Sequence, residues 1–176
     1  TCGEQATSGV CAQRIGPDGG LLWGGGSHAV VIEEATGTCG DLQAVSDGLD
    51  GLIIAYEWRP ANAATGAPGE VRCARVAPDG AVLWRTARRG TDAPQLASPH
   101  SPRLASDGSR SVWLAYLFGS LARPGIAAER ILADGSQAAG PTVVMAPGGK
   151  VLWDALSTDP CIAADAAGGL VCAYGW

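Results

Sequence analysis

The chain holds one lysine, one phenylalanine, one methionine and two histidines, and these shortages narrow what it can do. With Lys150 the single lysine and a net charge of −5, there is no basic stripe to neutralise phosphates. Nucleic acid is therefore excluded as a partner, as is a polybasic hold on an anionic membrane. Apolar runs such as Leu52-Ile-Ile-Ala-Tyr56 fall far short of the roughly 20 residues that a helical membrane span needs. The N-terminus lacks the charged and apolar regions of a signal peptide, and the chain starts at Thr1, which reads as a processed chain or a piece of something longer. No CxxC pair occurs, and neither histidine stands at a zinc-ligand spacing from a cysteine, so a structural zinc site is not expected.

Catalytic patterns are missing as well. His28 and His100 have no nucleophile signature beside them and read as surface-loop residues. Glu33, Glu34, Glu57 and Glu70 show no spacing that would pair two carboxylates for glycoside cleavage. The Asp47-Gly-Leu-Asp50-Gly cluster lacks the alternating oxygen ligands and terminal glutamate of a calcium loop. The expectation is a non-enzymatic protein without cofactor or metal.

What is present is β-forming. The 176 residues, 47% hydrophobic and 16% charged, suit one domain with a real core. Glycine (26) and proline (11) fall in short clusters, as in many short strands joined by turns. Six cysteines, Cys2, Cys11, Cys39, Cys73, Cys161 and Cys172, are an even number and read as disulfide candidates. Their connectivity is open. Disulfides place the chain outside the cell or on its surface, with the periplasm as a further oxidising compartment.

Two kinds of segment alternate along the sequence. The first is a turn followed by an apolar run, at Ser46–Trp58, Ser106–Phe118 and Ala164–Trp176. The second is a hairpin, at Val10–Trp23, Val71–Trp84 and Ile126–Ala139. The aspartates of the first series are Asp47, Asp107 and Asp165, and those of the second Asp18, Asp79 and Asp134, so both repeat at about sixty residues. In each hairpin Asp-Gly separates two strand-like runs, a tight turn in which both central residues are expected at positive φ. A short strand, Leu42–Val45, Pro102–Ala105 or Pro160–Ala163, precedes each apolar run. Each period thus predicts four antiparallel strands, the make-up of a propeller blade. In Leu52–Tyr56 both parities are apolar, which requires a strand buried on both faces.

The Ser-Asp-Gly turn, the strand ending in Ala-Tyr and the Arg-x-x-x-Asp-Gly-x-x-Leu-Trp hairpin resemble bacterial secreted β-propeller repeats over nearly the whole chain. Asp18-Gly-Gly-Leu-Leu-Trp23 is similar to the tail of the Asp-box of sialidase-like propellers, a structural turn. The resemblance implies a fold and not an activity. The expected fold is all-β, with three four-stranded propeller-type repeats and one of them split between the termini. Residues 1–41 form the C-terminal half of the split repeat, 42–101 and 102–159 are whole repeats, and 160–176 form the N-terminal half. The third repeat departs from the pattern, since Ala139 replaces the hairpin tryptophan and the outer edge there is undefined. Three blades are fewer than the usual range of about four to eight. Strand donation between copies, a larger propeller containing this chain, and a β-trefoil-like threefold fold are the three ways to complete the object.

Tyr56 with Trp58, Tyr116 with Phe118, and Tyr174 with Trp176 each share a strand face. They serve either as inter-blade packing or as a stacking surface for sugar rings, packing being favoured because they carry the repeat's core periodicity. Arg14, Arg75 and Arg130 recur in phase and are expected to stabilise inter-blade contacts. The sequence therefore points to a structural or adhesive repeat protein that self-associates through complementary terminal strands into a filament, ring or larger propeller. A carbohydrate-binding propeller lectin with glycan partners, and a fragment of a larger propeller protein or hydrolase, are the alternatives.

Overall fold

A computed structural model describes residues 9–26, 28–34, 36–61, 69–89, 98–120, 123–145 and 160–174. The protein is all-β, and the described strands form four antiparallel sheets. Sheet I pairs β1 (Val10–Ala12) with β2 (Val30–Glu33). Sheet II holds β3 (Gly37–Ser46), β4 (Leu52–Pro60), β5 (Glu70–Val76) and β6 (Val82–Arg89), paired in chain order. Sheet III repeats that order with β7 (His100–Ser106), β8 (Val112–Ser120), β9 (Arg123–Ile131) and β10 (Thr142–Met145). Sheet IV is β11 (Cys161–Ala164) and β12 (Leu170–Ala173). The sheets close into neither a barrel nor a ring among the described residues. Sheet II begins at Gly37, ahead of the boundary drawn at residue 42.

The Asp-Gly hairpins form where expected, but by a different turn. Of the two central residues only the glycine is left-handed, at Gly19, Gly80 and Gly135, with φ of 83°, 91° and 87°. The Gly80 N–H donates to the Ala77 carbonyl at 2.9 Å and the Ala77 N–H to the Ala81 carbonyl at 2.8 Å, a type I turn closed by a left-handed glycine. The other two hairpins repeat these bonds. The preceding residues explain the choice. Pro17 and Pro78 preset the first corner of a type I turn, and Asp79 Oδ1 accepts the Ala81 N–H at 2.9 Å, so the aspartate holds the bend from an ordinary φ.

Alternation along β4 sends side chains into two cores. Ile53 and Ala55, with Val71 and Cys73 of β5, pack against Val112, Leu114, Tyr116 and Phe118 of sheet III. Ile54 and Tyr56, with Ala74 and Val76, face Val10 and Ile32 of sheet I and Trp23 from the connection between its strands. Sheet II is thus covered on both sides, and each fully buried Ile or Val contributes about 1.5–3 kcal/mol relative to its exposed state. At the opposite flank from sheet I, β7 lies against β3 on one side and β11 on the other.

Sheets I and III depart from the regular pattern. The run Gly24–Gly26, all three at positive φ, makes a short 3-10 turn that separates the Asp18-Gly19 hairpin from β2. In sheet III the hairpin pairs Ile131 with Gln137, and pairing resumes only at Thr142 with Ala128. Residues 138–140, where a tryptophan would stand, form a bend, with the Ala138 N–H donating to the Arg130 carbonyl of β9 at 3.0 Å.

Candidate functional site

The contacts that repeat from sheet to sheet centre on the hairpin turns. Trp23 Nε1 donates to the Pro78 carbonyl at 2.8 Å, and Trp84 Nε1 donates to the Ala133 carbonyl at 2.9 Å. Arginines of the same hairpins reach the same oxygens, Arg14 to Pro78 at 3.4 Å and Arg75 to Ala133 at 3.1 Å. One turn carbonyl, with its two lone pairs, receives an indole and a guanidinium from the neighbouring sheet. The indoles also lie on the turn glycines. A Cβ at Gly80 would stand 3.0 Å from Trp23 Cγ, and one at Gly135 2.9 Å from Trp84 Cδ2, whereas at Gly19 it would meet nothing within 4 Å.

Behind the Trp84–Ala133 contact sits an aspartate–arginine pair. Asp47 is fully buried, and its Oδ2 accepts Arg75 Nη2 at 2.7 Å and Nε at 3.1 Å, while Oδ1 accepts the N–H groups of Leu49 and Gly51, both at 2.8 Å. Burial alone would raise the Asp47 pKa, but the Arg75 hydrogen bond and the two N–H donors outweigh it and hold the carboxyl below its usual range. Arg130 and Asp107 make the same pair in sheet III, with the same direction of shift and the same opposition between burial and hydrogen bonding. Both oxygens of Asp47 are thereby engaged beside a fixed cation.

Sheets I and IV hold the two halves of this arrangement apart. Arg14 meets the exposed Asp50 at 3.5 Å. Asp165 caps its own turn, with Oδ1 accepting the N–H groups of Ala167 at 2.9 Å and Gly169 at 2.7 Å. β1 pairs with β2 alone and β12 with β11 alone among the described residues, so each presents an unpaired strand edge. Trp113 ties sheet IV to sheet III by donating to the Gly168 carbonyl at 3.2 Å.

The aromatic residues singled out from the sequence fall mostly inside. Tyr56, Tyr116 and Phe118 are buried and present no ring face to a sugar, and Trp58 is half-buried. Tyr174 is exposed, and Trp176 lies outside the described residues. The Tyr56 hydroxyl donates to Glu33 Oε2 at 2.8 Å, and burial followed by that bond pushes its pKa up. Arg72 bridges Glu33 at 3.0 Å and Glu70 at 2.9 Å and stacks 3.6 Å from the Trp58 ring centroid. Two carboxylates are therefore brought together despite their sequence spacing, with one guanidinium between them that pairs with both. A second cluster lies between sheets II and III, where buried Glu129 accepts Arg88 Nε at 2.6 Å and also pairs with Gln137.

The cysteines do not form one framework. Cys11 is disulfide-bonded, whereas Cys39, Cys73, Cys161 and Cys172 are thiols, and Cys2 lies outside the described residues. Cys73 sits in the core, where burial pushes its thiol up to about 12. Cys39 is raised by burial and then by Glu33, and Cys172 by burial and then by Cys161. Register explains why neighbours on β11 and β12 do not bridge. Cys161 pairs with Ala173 and Cys172 with Ile162, which puts the two sulfurs on opposite faces of the hairpin.

Of the two histidines, His28 is exposed, as read from sequence. His100 is not a surface-loop residue. It is buried at the start of β7, with Nδ1 2.9 Å from the Ser98 carbonyl. No group of three or more His, Cys, Asp or Glu residues is arranged for a metal among the described residues. Among the described residues no helix is long and apolar enough to cross a membrane. Comparison of the chain with protein-family models, with curated proteins and with solved structures finds no match.

Proposed function

We propose that the chain is a non-enzymatic structural or adhesive repeat protein that works by self-association. Sheets II and III are complete blades of a propeller-type array, and sheets IV and I are the inner and outer halves of another. The observation that carries this reading is the pair of edges, β12 on sheet IV and β1 on sheet I, that have no partner strand among the described residues, each the complement of what the other lacks. An edge of this kind is a template for a further strand, and supplying it from a second copy gives head-to-tail growth into a filament or ring. An extracellular or cell-surface setting belongs to the same proposal, in keeping with the disulfide at Cys11.

Enzymatic readings gain nothing from the geometry, because the paired carboxylates Glu33 and Glu70 are both bound to Arg72. Buried aromatics likewise withhold support from a sugar-stacking surface. The test is sedimentation velocity of the 176-residue chain over a concentration series in non-reducing buffer, with electron microscopy of any heavy fraction. Ordered oligomers growing with concentration are expected. A compact monomer throughout the series refutes the proposal.

A further inference from the structure

Resting on the self-association just proposed, we infer that β12 of one copy pairs antiparallel with β1 of a second copy in a single defined register, locked by an ion pair between Asp165 and Arg14. The two complete sheets fix that register. In sheet II Leu52 pairs with Val76, Ile53 with Arg75 and Tyr56 with Arg72, and in sheet III Val112 pairs with Ile131, Trp113 with Arg130 and Tyr116 with Ala127. Counting from the turn aspartates, the same alignment sets Leu170 opposite Ile15, Val171 opposite Arg14 and Tyr174 opposite Cys11 of the second copy.

Exposure supports the assignment independently. Ile15 is 66% exposed, while its counterparts Val76 and Ile131 are both at 0%. Val171 is 59% exposed against 0% for Ile53, and Tyr174 is 41% exposed against 0% for Tyr56 and 2% for Tyr116. Positions that are core in the complete sheets are therefore uncovered where the sheet is divided, and a second copy of this chain is the occupant that covers them.

Charge gives the lock. Asp165 already makes with Oδ1 the two turn bonds that Asp47 makes, to the N–H groups two and four residues on. In Asp47 the other oxygen takes the arginine of the third strand. Arg14 already makes toward Pro78 the bond that Arg75 makes toward Ala133. Its second contact among the described residues is with the exposed Asp50, at 3.5 Å. Assembly moves that contact of the second copy's Arg14 to Asp165 of the first copy, reproducing the Asp47–Arg75 pair.

The experiment uses the variants Arg14→Asp and Asp165→Arg, alone, mixed in equal amounts and combined in one chain, with sedimentation velocity as the readout. Each variant alone juxtaposes like charges, and its dissociation constant is expected to rise by about a hundredfold. Mixing restores assembly, because each contact then joins opposite charges, and the combined variant restores it by itself. Recovery on mixing cannot come from chains that failed to fold. If the parent assembles and the single variants assemble equally well, or if mixing restores nothing, the register and its lock are overturned while self-association stands. A monomeric parent overturns both.

Discussion

Replacing Asp47 by alanine tests whether the aspartate–arginine pair or the turn cap matters to the fold, because Asp165 supplies a control with the cap and no arginine. Asp47→Ala removes the two N–H acceptor bonds and leaves Arg75, whose side chain is 9% exposed, with a charge facing the emptied site. Breaking a buried pair by deleting one partner costs about 3–5 kcal/mol, most of it the stranded charge. Asp165→Ala loses only the two turn bonds, at an exposed site, for about 1–2 kcal/mol. A third variant, Asp47→Ala with Arg75→Met, keeps the apolar stem and removes the charge, and is expected to recover more than half of the Asp47→Ala loss. Equilibrium urea unfolding followed by tryptophan fluorescence, at concentrations where the chain is monomeric, measures all three. If Asp47→Ala and Asp165→Ala cost the same within about 0.5 kcal/mol, the buried pair contributes nothing and the account of sheet II is wrong.

Three further outcomes are expected. Gly80→Ala and Gly135→Ala each combine a left-handed backbone with a Cβ driven into an indole, while Gly19→Ala carries the backbone cost alone. Thermal unfolding should show the first two losing about 1–3 kcal/mol more than the third, and equal losses would refute the tryptophan contact. Trp84→Phe keeps a ring over Gly135 and deletes the Nε1 bond to Ala133, for a loss of about 1 kcal/mol by urea midpoint, and an unchanged midpoint would show the bond to be idle. At alkaline pH, Tyr56, Tyr116 and Cys73 keep protons in the folded chain that the unfolded chain releases, since their folded pKa values lie above the ordinary 10.0 and 9.0. Stability contributed by these groups is whole below about pH 9 and falls as pH rises toward 12, so the urea midpoint should drop between about pH 8 and about pH 11. A flat profile contradicts their burial.

Much of the architecture is written in the sequence because turns and strands there follow local rules. Asp-Gly marked all three hairpins, and the doubled apolar parity of Leu52–Tyr56 marked a strand buried on both faces. The turn type was misread because Pro78 and the Asp79 side chain set the bend together, a cooperation that the dipeptide alone does not display. The aspartate–arginine pairs were within reach, since Asp47, Asp107 and Asp165 run in phase with Arg14, Arg75 and Arg130 and carry opposite charge. The Glu33–Arg72–Glu70 cluster was out of reach. Its members recur in no other repeat, and Glu33 arrives from a different sheet. His100 was misplaced for a related reason, as nothing in Pro99-His-Ser101 tells that β7 is enclosed by its neighbours.

The turn carbonyls at Pro78 and Ala133 carry a consequence for how such an array changes over time. The atom that receives both the indole and the guanidinium belongs to the main chain, and its residue is proline in one copy and alanine in the other. Recognition between adjacent sheets therefore reads the path of the backbone and is blind to the side chain at that corner. Only the donors and the turn's left-handed glycine have to be kept. Units joined in this way are interchangeable parts. They can be duplicated, reordered or left to drift in sequence, and the next unit still finds the same oxygen in the same place.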